Sequence, residues 1–296
     1  MVHTVGLMGA NGLVGRPTAQ LLAQSAAQGK INLVILHRPG NIPVDFEGST
    51  NVTLRAVDLD GPAADLEQAV RGIQTFINAV GFGALPSEPK LVDALAKSPD
   101  FVTFVPSTFS TTWTDEDVAD EELGNIVRFI HGGLDRAHQI GAGTTVVYTG
   151  VFDIYFFEYA FVGSSVKQNL VWANKTQLQN RIPITSIEHL ASALARIGTA
   201  EPKSVKNTEH SVVTFWPTGN EIAELYTKIN GKPATIKDFT AADRDEIRAD
   251  AAGFGPAKVG YWDHWKADSW DYEQEGRSYD RAYQGPGIEE VARRFA

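Results

Sequence analysis

At 296 residues and 43% hydrophobic, the chain can bury one large core or a core and a smaller lobe, and its lack of cysteine excludes disulfides, thiolate metal sites and cysteine nucleophiles. A net charge of −10 argues against a phosphate-backbone partner, so no nucleic acid is expected. No uncharged apolar run reaches membrane length (Thr144 to Gly163 carries Asp153 and Glu158), and the N-terminus enters a strand without a secretory-type leader; a cytoplasmic protein with no membrane partner is expected.

The first element runs Val5-Gly-Leu-Met-Gly-Ala-Asn-Gly-Leu-Val-Gly-Arg-Pro17. A short apolar strand leads into Gly9, Gly12 and Gly15, with Asn11, Leu13 and Val14 between them, and then into a helix over Pro17 to Ala27. Dinucleotide phosphates need this arrangement. One glycine permits positive φ, one lets the backbone approach the pyrophosphate, one lets helix pack on strand, and the free N–H groups of the helix start face the anion. The spacing is Gly-x-x-Gly-x-x-Gly rather than the commoner Gly-x-Gly-x-x-Gly.

A second strand, Ile31 to Leu36, ends in His37-Arg38-Pro39. This position meets the adenosine ribose, where an acid selects the free 2′-hydroxyl and an arginine accepts a 2′-phosphate, so Arg38 favours NADP over NAD. Arg16 is a further candidate for a phosphate. A third strand, Val52 to Val57, ends at Asp58, which suits either the adenine amino group or a turn cap before Asp60-Gly61-Pro62. Helix Ala64 to Val70, strand Thr75 to Val80, helix Glu88 to Ala96, strand Phe101 to Val105 and strand Thr144 to Tyr148 follow. Alternating strand and helix predicts an α/β chain built on a Rossmann doubly wound parallel sheet, with ligands over the carboxyl ends of its strands.

The second half is less regular. Ile182 to Thr185 reads as a returning strand, Ser186 as the cap of a helix over Ile187 to Ile197, and Val212 to Trp216 as another strand. Thr218-x-x-Glu221 and Thr240-x-x-Asp243 are capping-box signatures, the first opening a helix that ends before Gly231. An aromatic-rich tail holds Tyr261, Trp262, Trp265, Trp270, Tyr272, Tyr279 and Tyr283. Residues 1–152, with a returning segment at about 182–216, are expected to form the dinucleotide domain. Residues 153–181 and 217–296 are expected to form a smaller C-terminal substrate lobe, the chain crossing back to the main sheet once.

Gly9-Ala10-Asn11-Gly12-Leu13-Val14-Gly15, Arg38, Asn78-Ala79-Val80-Gly81 and Phe104-Val105-Pro106-Ser107-Thr108-Phe109 together resemble the NmrA-like branch of the atypical short-chain dehydrogenases, which includes isoflavone reductase. Tyr148-Thr149-Gly150-Val151-Phe152 and Ile182 to Glu188 resemble later landmarks of the same branch. The resemblance implies a Rossmann fold, NADP(H) as cofactor, and either reduction of small aromatic or polyketide-like compounds or nucleotide sensing. It assigns Asn78, Val80, Gly81, Pro106, Ser107 and Phe152 to the cofactor site with the glycine turn. Thr108 and Ser110 stand where the family pattern near Ser107 reads Glu and Gly.

The chain departs from the resemblance in its acid–base group. Tyr-x-x-x-Lys, in which an ammonium lowers a phenol pKa, occurs nowhere. The resembled reductases use a lysine in the helix before the sixth strand, yet this chain has none between Lys97 and Lys167, and the matching position falls near Gly133. His131 is the nearest replacement, with Asp135 and His138 at helical spacing on the same side; the Gly132-Gly133 pair is expected to weaken that helix. Against a catalytic His131 stands an amphipathic helix whose buried stripe is Ile130, Leu134 and Ala137.

Ser107 is placed to hydrogen-bond a substrate oxygen or simply to close a strand-end turn. His264, within Trp262-Asp263-His264-Trp265, is either a proton donor from the second lobe or part of a staple for the tail. The acidic run Asp115 to Glu122 reads as a solvated loop and helix start rather than a metal site. Phe152, Tyr155, Phe156, Phe157 and Tyr159 suit an apolar substrate or packing between lobes.

Three functions fit. The first is an NADP(H)-dependent oxidoreductase acting on a small apolar carbonyl, enone or aromatic compound. The second is a non-redox rearrangement, cyclisation or elimination on the same scaffold. The third is an NADP-sensing regulator with a protein partner. A homodimer is compatible with each.

Overall fold

Apolar runs with few polar interruptions, such as Ile31 to Leu36, suit strands covered on both faces, and such strands pair in parallel. In the computed structural model, which describes residues 2–250 and 254–296, β1 (His3–Met8), β2 (Ile31–His37), β3 (Val52–Ala56), β4 (Thr75–Asn78) and β5 (Thr103–Val105) form a parallel sheet in the order β3-β2-β1-β4-β5. The order reverses between β1 and β4, which opens a crevice at their carboxyl ends. Helices α1 (Gly15–Ala27), α2 (Ala63–Ala69) and α3 (Glu88–Ala96) link these strands. After β5 come α4 (Asp115–Ala119) and α5 (Glu121–Gln139), and a parallel bridge from Phe104 to Thr144 extends the sheet to β6 (Thr145–Thr149).

Beyond β6 the chain weaves between the sheet and a second core. It passes through β7 (Val151–Phe152), α6 (Asp153–Phe157), β8 (Leu170–Trp172), β9 (Ile184–Thr185), α7 (Ile187–Thr199) and α8 (Pro202–Val205) before β10 (Thr208–Val212). The rest comprises α9 (Gly219–Asn230), β11 (Thr235–Lys237), α10 (Ala241–Arg248), α11 (Gly255–Ala267), β12 (Arg277–Tyr279) and α12 (Ile288–Arg293). Both capping boxes form, at Thr218 with Glu221 and at Thr240 with Asp243, and Gly231 ends α9 in the left-handed conformation at φ 66°.

Three expectations change. The strand placed at Val212 to Trp216 lies earlier, at Thr208–Val212, because its residues pair in register with Thr145 to Thr149 of β6. Its polar residues hid it: Glu209 is held by Arg277 at 2.9 Å rather than exposed on a loop. The chain also returns to the sheet twice, since β12 pairs in parallel with β10. Finally, α5 runs unbroken through Gly132-Gly133, stabilised by packing against α3 and α11.

One face of the sheet packs Val5, Leu7 and Ile35 against Leu22 of α1 and Leu190 and Leu194 of α7. The other packs Met8, Phe76 and Phe104 against Val70, Leu91 and Leu95. A separate core gathers Phe156, Phe157, Tyr226, Trp262 and Trp265 from the second half. The tail is fastened to the sheet by Tyr272, whose buried hydroxyl donates to the Thr149 carbonyl at 2.8 Å and is hydrogen-bonded to the Thr111 hydroxyl at 2.9 Å.

Candidate active site

The glycine turn sits at the reversal point. Gly9 has φ 93°, and a Cβ there would strike the Ala79 carbonyl. A Cβ on Gly15 would strike the Gly9 carbonyl, so this glycine lets α1 close onto the turn. At Gly12 the added carbon would stand 3.1 Å from Gly9 O, a tight contact that requires the Gly9 carbonyl to give by a few tenths of an ångström. Val14 is buried and forms the N-cap of α1 without a side-chain cap, no acid occupies the first turn, and Leu13 is exposed. The helix start therefore keeps its positive end clear for an anion.

A cleft of about 290 Å³ runs over this turn, lined by Gly9, Asn11 and Gly12, by Arg38 at one end and by Val80 and Gly81 at the other. Asn11 Nδ2 donates to Asn41 Oδ1 at 2.9 Å, drawing the segment after β2 alongside the glycines. Arg38 is exposed, and its guanidinium makes no hydrogen bond or ion pair among the described residues. Arg16, by contrast, pairs with Asp45 at 2.7 Å. Asp58 caps its own turn, accepting from Asp60 N at 3.0 Å, and lines a separate groove with Arg55 and Arg71.

At the other end, the loops after β4 and β5 are tied from below by a side chain the sequence reading passed over. Glu88, only 1% exposed, accepts through Oε1 from Asn78 Nδ2 and from the Ser107 backbone N–H, each at 2.8 Å. Its Oε2 has no hydrogen-bond partner among the described residues and lies against Gly133, where a Cβ would collide with it. Burial raises the Glu88 pKa, opposed by the N–H groups of Ser107 and Asn78 and by the Gly133 backbone. Asn78 is thus buried beneath the cleft rather than lining it. Ser107 is half-buried beside buried Pro106, and its hydroxyl donates to the Val80 carbonyl at 2.9 Å.

His131 is half-buried on α5. Burial lowers its pKa, with Asp135 opposing and His138 adding to the shift. Phe152 is half-buried and stacks on Tyr155 at 5.8 Å between ring centres. Phe82 and Phe129, each 41% exposed, stack at 5.2 Å, and Phe254 meets Phe82 edge-on at 4.5 Å. This trio went unread in the sequence, its members being far apart in the chain.

His264 is committed elsewhere. Its Nε2 pairs with Asp117 Oδ2 at 2.8 Å, its Nδ1 meets Ser269 Oγ at 2.9 Å, and its ring stacks on Trp270. Burial lowers the His264 pKa, but the bond and charge of Asp117 outweigh it and the net shift is upward. The acidic run makes helix starts: Asp117 completes a capping box with Thr114, and Asp120 caps α5 while pairing with Arg248 at 2.7 Å.

No protein-family model and no curated relative matches the chain by sequence. Solved structures do match in shape. An isoflavone reductase superposes with a TM-score of 0.76 at 14% identity, covering 100% of this chain and 99% of the other. The fold is that of isoflavone reductase. Leucoanthocyanidin reductase from Vitis vinifera, solved with NADPH, gives 0.75 at 13% identity over 99% of both chains. Triphenylmethane reductase from Citrobacter sp., solved with NADP(H), gives 0.69 at 13% identity over 99% of this chain and 100% of the other. Each likeness spans the sheet and the second core together.

Proposed function

We propose that this chain binds NADP(H) across the cleft and acts as an oxidoreductase on a small apolar carbonyl, enone or aromatic compound. The observation that carries the reading is the run from a turn where only glycine fits at positions 9 and 15, through an uncapped helix start, to an Arg38 unpaired among the described residues. Those residues fit the group: Gly12 and the start of α1 would hold the pyrophosphate, and Arg38 the 2′-phosphate. Structures of the same fold solved with NADPH and NADP(H) support the choice of nucleotide. When bound, the cofactor supplies or accepts the hydride.

The chain's own groups orient the substrate and handle the proton. Phe82, Phe129 and Phe254 offer an apolar face near the end of β4. The Ser107 hydroxyl, now on the Val80 carbonyl, stands at the end of β5 where a substrate oxygen can be hydrogen-bonded. His131 is the proton donor in this reading, because Gly133 carries no side chain and His264 is held by Asp117. Calorimetric titration with NADP and NAD, followed by NADPH consumption against apolar ketones and enones, tests it. Tight NADP binding with no turnover would instead favour the non-redox or sensing function, which the absence of a lysine near Gly133 supports.

A further inference from the structure

Glu88 is a carboxyl group buried under the floor of the site, with no cation paired to it among the described residues. From β4 it meets Asn78, from the end of β5 the Ser107 N–H, and from α5 Gly133. None of these titrates, and no lysine, arginine or histidine pairs with Glu88 among the described residues. On its own helix it stands in the first turn of α3, where the helix dipole favours a negative charge. Burial is the largest influence and raises the Glu88 pKa above the ordinary carboxylate value, while two N–H donors on one oxygen and the helix start favour the ionised form against it.

Its location gives that charge a use. Val80 lines the cleft together with Arg38, and the Ser107 hydroxyl donates to the Val80 carbonyl at 2.9 Å. A dinucleotide whose adenosine phosphate lies at Arg38 and whose pyrophosphate crosses the glycine turn has its nicotinamide at the ends of β4 and β5. The nicotinamide ring is positively charged when oxidised and neutral when reduced. A carboxylate beneath it attracts the first form and is nearly indifferent to the second.

We infer that Glu88 is a specificity-determining residue that makes this site prefer the oxidised dinucleotide over the reduced one. The inference rests on the NADP-binding reading above. Glu88 acts through the site's potential, without touching the ring, so Gly133 is required only to leave room for it. By stabilising the oxidised ring, the same charge lets hydride leave a bound NADPH more readily, so the equilibrium on the protein lies towards NADP+.

The test is the ratio of NADP+ to NADPH affinities by calorimetry, in the wild type and in Glu88→Gln. Glutamine keeps an oxygen for the Asn78 and Ser107 donors and removes only the charge. The variant should lose about tenfold in NADP+ affinity with NADPH affinity kept within about twofold, the scale of one charge acting over several ångströms at a protein's effective dielectric. An unchanged ratio in folded Glu88→Gln would overturn the inference. Should the variant fail to fold, the wild-type ratio measured from acid to neutral pH decides. Preference for NADP+ should grow as pH rises through a Glu88 pKa above the ordinary carboxylate value, and a flat ratio overturns it. Dividing one affinity by the other cancels titration of the shared phosphates. Wild-type protein that binds neither nucleotide would sink the cofactor reading itself, a distinct result.

Discussion

Arg38→Ala isolates the interaction that distinguishes the two nicotinamide dinucleotides. Because the Arg38 guanidinium makes no hydrogen bond or ion pair with the described residues, its removal leaves no orphaned partner behind, and the melting temperature should hold. Its nearest competitor for a phosphate, Arg16, is exposed and already paired with Asp45, so it substitutes poorly. A charge-assisted hydrogen bond contributes about 1.5–3 kcal/mol, so NADP affinity should fall roughly ten- to a hundred-fold while NAD affinity stays nearly constant. Calorimetric titration of both nucleotides into both proteins measures this. Equal losses for NAD and NADP, or a wild type that prefers NAD, would refute the placement of the 2′-phosphate.

Gly12→Val puts a branched side chain on the face of the turn that the pyrophosphate must approach; the circular dichroism spectrum should stay native while the NADP-induced rise in melting temperature disappears. His131→Ala should lower kcat about 10²–10⁴-fold with cofactor affinity kept. Because burial lowers its pKa, wild-type kcat should fall with rising pH on the acid side of the ordinary histidine value, a limb the variant lacks. Asp117→Asn should remove about 1–3 kcal/mol by breaking a bond between charged groups at His264. The sign follows from both partners: the raised His264 pKa gives stability present at low pH and lost as pH rises through it. For Asp117, burial is outweighed by the bonds from His264 and Thr114; its lowered pKa gives stability lost as pH falls through it. Denaturation midpoints should therefore show a wild-type advantage between those two limits that shrinks in alkaline buffer, and a pH-independent difference would count against the pair.

What was legible in the sequence is what local geometry dictates. The glycine turn, α1, α3 and the capping boxes at Thr218 and Thr240 are decided by backbone freedom, apolar period and short-range hydrogen bonds, and each forms where it was read, α1 starting two residues earlier at Gly15. β10 and β12 were misread or missed because their polar residues are satisfied by partners distant in the chain: Glu209 of β10 pairs with Arg277 of β12. Glu88 was missed for the same reason. A glutamate in the first turn of a helix reads as a solvated partner of the helix dipole, and nothing within nine residues of α3 announces that β4, β5 and α5 enclose it. The signal that could have found it lies in the facing helix. Gly132-Gly133 is poor helix material, yet α5 runs straight through, so a glycine there must answer to something packed against it. That something is the Glu88 carboxyl, which a Cβ on Gly133 would strike. A side chain at 133, lysine included, and Glu88 in its present place exclude one another. Near the position where the resemblance implies a lysine, this chain therefore packs the Glu88 carboxyl against a glycine, and the two features have one steric explanation.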